Sequence, residues 1–167
     1  DTFNGTFTGA FSDKNVNSGK TVTITSSYTG ADVSNYSVTD QSTTTANITA
    51  KALTVSGITS SSKTYDGSTS ATLDGSSVTY TGLLSGDTFT GSYSGLFANA
   101  NVGTGKTVTI TSSYSGADVN NYTVTDQSST RANITAKALT VAGITSSSKT
   151  YDGSTSATLD GSSVTYT

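Results

Sequence analysis

Few side chains in this sequence have the types and spacing to do chemistry, and those few favour structural work. Asp66, in Tyr65-Asp66-Gly67, is the kind of residue that serves as an acid or a cation ligand. An Asp ahead of a Gly more commonly sets a tight turn by accepting hydrogen bonds from the backbone that follows, and that reading is preferred. Lys63 and Lys106 match Asn121 or Asn133 in type for a Lys–Asn isopeptide cross-link. That condensation needs a buried carboxylate beside the pair, here necessarily an Asp. Asp32, Asp40, Asp118 and Asp126 offer oxygens for Ca2+ where structural units meet, yet their spacing follows no calcium loop. No cofactor is therefore expected, with calcium the one ion left open. Acceptor tripeptides for N-glycosylation begin at Asn4, Asn35, Asn47, Asn121 and Asn133, a pattern that arises readily by chance in so hydroxyl-rich a chain.

Two surface readings are weighed in the same way. Thr21, Thr23 and Thr25, and likewise Thr107, Thr109 and Thr111, place hydroxyls at strand spacing, which suits ordered water, ice or a sugar. An ice-binding plane needs several aligned strands, so the wet face of a sheet is the simpler account. Tyr36, Tyr65, Tyr80 and Tyr93 could stack on sugar rings, but Tyr in a small all-β unit usually packs in the core with its hydroxyl at the rim.

Composition removes whole classes of function. The 167 residues include no His, Cys, Trp, Met, Pro or Glu, and all eleven acidic residues are Asp. Without His or Cys there is no imidazole base, no thiolate nucleophile, no disulfide and no common zinc set, so no enzyme mechanism is assembled. Thr (36) and Ser (30) supply most of the wettable surface, since charged residues reach only 11%. A net charge of −3 gives no basic patch for nucleic acid. No apolar run approaches the ~20 residues that span a bilayer. The opening Asp1-Thr2-Phe3-Asn4 reads as the continuation of a longer chain.

The elements that must position these residues are repeated. Sliding the sequence against itself by 86 residues aligns Asp1 with Asp87, Lys20 with Lys106 and Tyr65 with Tyr151, without a gap; 65 of 81 aligned positions are identical. Ten of the sixteen differences fall between Asn4 and Ser18 and their counterparts Thr90 to Thr104. That segment reads as an exposed hairpin drifting on a solvent face. Within a period, runs such as Thr107-Val108-Thr109-Ile110-Thr111 alternate with period two, and Asp-Gly or Gly-rich clusters punctuate them. The pattern predicts an all-β fold of seven or eight short strands per period, an immunoglobulin-like β-sandwich, with a β-grasp-like unit or a solenoid as alternatives.

Parity suggests where a unit begins. Ala132, Ile134 and Ala136 use even positions, whereas Leu139 and Val141 use odd ones, so the buried face flips near Lys137 and equivalently near Lys51. The chain then divides into 1–51, the C-terminal part of a module; 52–137, a complete module; and 138–167, the N-terminal part of the next. The other phase gives 1–81 and 87–167 joined by 82–86. The joint from Ala132 to Val141 contains no Gly, and with no Pro in the chain it should be extended and stiff. Residues 1–51 and 138–167 together supply 81 of the 86 positions of a module, so two chains could complete one unit by exchanging strands.

The set Lys63-Thr64-Tyr65-Asp66-Gly67, Asn101-Val102-Gly103 with Lys106, Asn121-Tyr122 and Ala132-Asn133-Ile134-Thr135 resembles the YDG-type, MBG-like repeats of very large bacterial surface proteins, including filamentous-haemagglutinin-like adhesins. Its signature residues here are Lys63, Tyr65, Asp66, Gly67, Val102, Gly103, Lys106, Asn121, Tyr122 and Ile134. Many such repeats carry a Pro after the Ile-Thr pair, where this chain has Ala50 and Ala136. The resemblance implies an extracellular location on a bacterial surface, no catalytic residues, and a role as stalk or fibre. Its expected partners are neighbouring repeats, identical chains head to tail, or a glycan or surface receptor. A carbohydrate-binding module is the main alternative.

Overall fold

Alternating β-branched and aromatic residues form strands along the whole chain in a computed structural model that describes residues 1–167. The head, 1–51, holds β1 (Asn4–Phe11), β2 (Asn17–Thr29) and β3 (Thr43–Ile48). The centre begins with β4 (Lys51–Ser56), β5 (Thr59–Ser60), β6 (Lys63–Thr64), β7 (Ser70–Ala71), β8 (Leu73–Asp74) and β9 (Thr79–Thr81). It continues through β10 (Thr90–Phe97), β11 (Gly103–Ser115), β12 (Tyr122–Thr125) and β13 (Ser129–Thr135). In the tail lie β14 (Val141–Ala142), β15 (Thr145–Ser146), β16 (Leu159–Asp160) and β17 (Thr165–Tyr166). Helical structure is limited to single 3-10 turns at Val33–Asn35 and Val119–Asn121. The fold is all-β. The centre has ten strands where seven or eight were expected, because four of them, β5 to β8, are two-residue ladders too short to leave an alternating pattern.

In the centre, β6-β13-β11-β10-β7 form a five-stranded sheet and β12-β4-β9 a three-stranded one, with the β5–β8 ladder between them. The sheets face each other, so the wall nearly closes on itself like a barrel. Two ladders are parallel: β12 on β4, with Tyr122 opposite Lys51, and β13 on β6, with Ile134 opposite Lys63. Parallel partners need long crossovers, which alternation within a strand does not reveal.

Inside, Leu53, Val55 and Ile58 from the start of the period meet Phe89, Ile110 and Tyr122 from its middle and end. A second cluster, Phe97, Val108, Ala132 and Ile134, lies under the other end of the five-stranded sheet. Phe89 organises the first cluster, with the rings of Tyr114, Tyr80 and Tyr122 at 5.1, 5.3 and 5.9 Å from it. Of the four tyrosines considered, Tyr80 and Tyr93 thus behave as core residues, whereas Tyr36 and Tyr65 stand exposed. The hydroxyls of Tyr80 and Tyr93 bond each other at 2.9 Å, and Tyr114 donates to Asp126, so the polar ends are satisfied. Leu53 and Val55 are buried on odd positions, Ala132 and Ile134 on even ones. Ala136 departs from the expected even series and is exposed, because β13 ends at Thr135 and its sheet no longer covers the chain.

The flanks repeat the centre's backbone without its burial. β1 pairs β2 in the register of β10 with β11, from Asn4↔Thr29 and Thr90↔Ser115 through to Phe11↔Val22 and Phe97↔Val108. β2–β3 and β11–β13 share the same irregularity, between Asn17 and Lys20 and between Gly103 and Lys106. Gly19 and Gly105 sit in these bulges at φ 62° and 56°, a conformation that disfavours any side chain. In the tail, β14–β17 and β15–β16 match β4–β9 and β5–β8. Yet all ten buried apolar residues lie between Leu53 and Ile134.

That contrast gives a direct test of burial at constant chemistry. Leu53 is 0% exposed and its counterpart Leu139 is 66% exposed. In urea denaturation of dilute protein, Leu53→Ala should cost about 2–5 kcal/mol of stability, and Leu139→Ala no more than about 0.5 kcal/mol. Equal costs would contradict the core described.

Candidate functional site

The charged and amide side chains with the most specific contacts gather where the head meets the centre. β3 ends at Ile48 and β4 starts at Lys51, so only Thr49 and Ala50 lie outside strand. Beside this step the tip of the β1–β2 hairpin reaches across. Lys14 Nζ stands 2.9 Å from a carboxylate oxygen of Asp87 and 2.9 Å from one of Asp118. The Val16 N–H donates to Asn121 Oδ1 at 2.9 Å, and Asn121 Nδ2 donates to Asn15 Oδ1 at 3.3 Å. Behind these contacts lies a cavity of about 220 Å3 lined by Val16, Ile48, Leu84 and Tyr122 among others.

Both carboxylates are held from the other side as well. Asp118 accepts the Thr88 N–H at 2.8 Å, and Asp87 accepts the Tyr122 hydroxyl at 2.7 Å. Tyr122 in turn accepts the Leu84 N–H at 3.0 Å. Asp118 is placed by the chain reversal at Gly116, whose φ of 133° and approach to the Thr88 carbonyl leave no room for a Cβ. Hydrogen bonding to Lys14 is the main cause that lowers the Asp118 carboxyl below the usual range, and the Tyr122 hydroxyl is the main cause for Asp87. The same pair raises the Lys14 ammonium. Most of the Lys14 side chain remains in solvent, so salt screens the contact.

Here the hairpin reading of the sequence needs correction. Ten of the repeat's differences fall in this hairpin, and most of the strand positions among them do face solvent. The tip, however, is a docking element: Lys14 becomes Ala100 and Asp13 becomes Asn99 in the second copy. Comparing copies exposes variation but carries no sign of a contact between them.

The far end of the centre holds most of the other signature residues. Lys63 and Thr64 run parallel to Ile134 and Thr135, and Gly103 pairs with Ile134. Lys63 Nζ donates to Asp66 at 2.8 Å and to the Ser68 carbonyl and hydroxyl at 2.8 and 3.0 Å, and lies 5.6 Å from the centre of the Phe97 ring. Asp66 also accepts the Ser68 N–H at 2.8 Å, the turn expected of Asp before Gly. Lys63 first, then that N–H, bring the Asp66 carboxyl down to about 2. The tail repeats this clamp with Lys149, Asp152 and Ser154. Tyr65, 42% exposed, lines a shallow surface with Asn101, Val102, Ala136 and Lys137. Val102 is exposed there, whereas its counterpart Val16 is half-buried against Asn121.

The remaining candidates are separated. Lys106 Nζ donates to Asn99 Oδ1 at 2.6 Å, Asn133 Oδ1 accepts the Gly105 N–H at 2.7 Å, and Asn121 serves the hairpin tip. Neither lysine bonds Asn121 or Asn133, so the isopeptide pairings considered from sequence are not brought together. Asp40 and Asp126 accept the Tyr28 and Tyr114 hydroxyls, and no three acidic residues cluster.

Protonation should dismantle these contacts. Because the Asp118 and Asp87 carboxyls are lowered in the folded chain, their contribution is present above the ordinary carboxylate range and fades as pH falls through the lowered values. Lys14→Ala should raise the Asp118 pKa toward its ordinary value in an NMR titration while leaving Asp66 near 2. An unmoved Asp118 would remove Lys14 from the joint.

A family model described as the YDG domain matches residues 49–130 and again 135–167. No curated protein and no solved structure matches the chain.

Proposed function

The chain belongs to the YDG domain family, and from that premise we propose that its 86-residue period is a structural module, repeated in series as the stalk or fibre of a bacterial surface protein. Its work is mechanical: it gives length and stiffness to something that attaches cells or surfaces. The module runs from 52 to 137, an immunoglobulin-like two-sheet unit with its own core, flanked by parts of its neighbours at 1–51 and 138–167.

One observation carries this reading. The core is confined to a single period, and most of the signature residues stand at the two ends of that period. Asn121 takes the preceding hairpin tip and Tyr122 holds Asp87 behind it; Tyr65 and Val102, with Asn101, Ala136 and Lys137, form the surface that the next module would meet, above the buried Ile134. The phase is supported by the start of the family match at residue 49 and its restart at 135, one period later. A joint with two residues outside strand, bridged by Lys14 and Asn121, favours a stiff thread over beads on a tether.

The extracellular assignment draws on the family resemblance and on a chain free of oxidation-prone Cys and Met. The titratable groups support a non-enzymatic role, since Lys63, Asp66, Asp87, Asp118 and Asp126 are engaged in turns, joints and tyrosine caps.

Chains of two, four and eight periods provide the test. Small-angle scattering and electron microscopy should show a thread whose length rises in proportion to the number of periods, with Lys14→Ala at every joint widening the bend distribution. Compact particles of constant aspect ratio, or a single period that binds immobilised glycans, would displace the stalk in favour of a carbohydrate-binding module.

A further inference from the structure

The start and the finish of the central period lie side by side along its length. β12 runs parallel to β4 and β13 runs parallel to β6, and both ladders keep one spacing in sequence: partners are 71 residues apart from Tyr122↔Lys51 to Thr135↔Thr64. Residues 51–64 and 122–135 thus form one parallel seam that passes from the leading face to the trailing face. We propose that this seam is a force-bearing clamp, which resists tension passed along the chain by loading its bonds in shear. The inference rests on the stalk reading above and deepens it, naming the residues that hold the module closed under load.

Direction is the first argument. The chain enters the seam at Lys51, beside Tyr122, and leaves it at Thr135, beside Thr64. Tension along the chain therefore draws β4 out through one end of the module and β13 out through the other. Because the paired segments point the same way, the pull slides them lengthwise past each other, and the bonds that cross between them are strained together rather than one after another. Each pulled strand is also held on its other side. β4 is the middle strand between β12 and β9, and β13 lies between β6 and β11.

Side chains bridge the gap between the two ladders. Backbone pairing along the seam stops at Thr125↔Thr54 and resumes at Ile134↔Lys63. In between, Gln127 accepts the Ile58 N–H at 2.9 Å, donates to the Ile58 carbonyl at 2.7 Å and donates to the Ser129 carbonyl at 3.2 Å. It thereby ties the segment just past β4 to the first residue of β13. Further along, the Asn133 N–H donates to Ser62 Oγ at 3.0 Å, and beyond the second ladder the Tyr65 N–H donates to the Thr135 carbonyl at 2.8 Å.

Packing adds to the resistance. The two pulled strands anchor both core clusters, β4 with Leu53 and Val55 in one, β13 with Ala132 and Ile134 in the other. Sliding either strand by a single residue would turn its buried side chains to the opposite face. The seam therefore keeps its register under tension until a cluster opens as a whole.

The test pulls single molecules of the whole 167-residue chain, whose lack of Cys lets paired handles be placed at chosen positions. Thr49→Cys with Lys137→Cys loads the seam from end to end, whereas Asn101→Cys with Lys137→Cys opens the β11–β13 ladder pair by pair from Gly103↔Ile134. At one constant force, unfolding should be more than about tenfold slower with the first pair of handles, since forced unfolding follows the unfolding barrier rather than the equilibrium. Gln127→Ala removes the bonds to Ile58, so it should quicken unfolding with the first pair by about tenfold and leave opening with the second nearly unchanged. Ser62→Ala, at an exposed position, should shift the same ratio in the same direction by less, and serves where the Gln127 variant does not fold. Equal rates in the two directions, or variants that change both rates alike, would overturn the clamp. A thread that lengthens with the number of periods but is built of modules equally weak in both directions would defeat only this inference. Extension between positions 49 and 137 without any abrupt lengthening would defeat the modular reading with it.

Discussion

Leu53, Val55 and Ile58 reach a pocket walled by Phe89, Ile110 and Tyr122, and every other feature of the module depends on that meeting. The first group opens the period and the second lies 31 to 69 residues further along the chain, so contact demands closing long loops before this cluster is buried. Neither group has an alternative cover. The head folds its three-stranded meander and the tail its two short ladders, and in both the residues that the centre buries stand in solvent. Hydrogen-bonded ladders form locally from β-branched residues, but only the long-range meeting of halves converts them into a core.

Once the core closes, the ends of the period follow. The parallel ladder of β12 on β4 draws Asn121 and Tyr122 beside the start of the module, and the ladder of β13 on β6 draws the Lys63 clamp beside its finish. Residues 52–137 therefore have a leading and a trailing face, chemically different from each other. The leading face carries Asp87 and Asp118, ready for a cation; the trailing face offers a hairpin tip whose residue at the Lys14 position changes between copies. The step near Lys137 is different: residues 136–140 lie outside strand between β13 and β14, and Ala100 stands at the Lys14 position. On a surface so poor in charge, one lysine poised between two partly buried carboxylates has few competitors.

How far this was legible in the sequence varies with the range of the interaction. Strand character, the repeat, the Asp66 turn and the core role of Tyr80 and Tyr93 are written in neighbouring residues, and can be read there; Tyr36 and Tyr65, given the same reading, stand exposed. The parity switch between Ile134 and Leu139 is equally local, but Leu139 and Val141 stand exposed, and a buried odd face is seen only at their counterparts Leu53 and Val55. What escapes is pairing at a distance. Nothing in Lys51-Ala52-Leu53 announces Tyr122-Thr123-Val124 as its parallel neighbour, and nothing in Lys14 announces Asp87 and Asp118. The lysine–asparagine pairings considered from residue type fail for the same reason, since type says what two groups would do together and topology decides whether they meet.

The distribution of differences between copies then acquires a physical meaning. Of the ten differences in the first hairpin, those at positions 4, 6, 8 and 10 face solvent in the equivalent strand, those from 12 to 18 belong to the tip, and only Phe7 against Tyr93 faces inward. The inner surfaces have stayed interchangeable while the outer ones diverged. On the serial reading proposed above, near-identical halves would carry a hazard, since neighbouring copies could exchange strands during folding. The joint limits that hazard. With only Thr49 and Ala50 between β3 and β4, a half that paired with the wrong neighbour would have to break the Lys14 and Asn121 contacts that fix the next module in place.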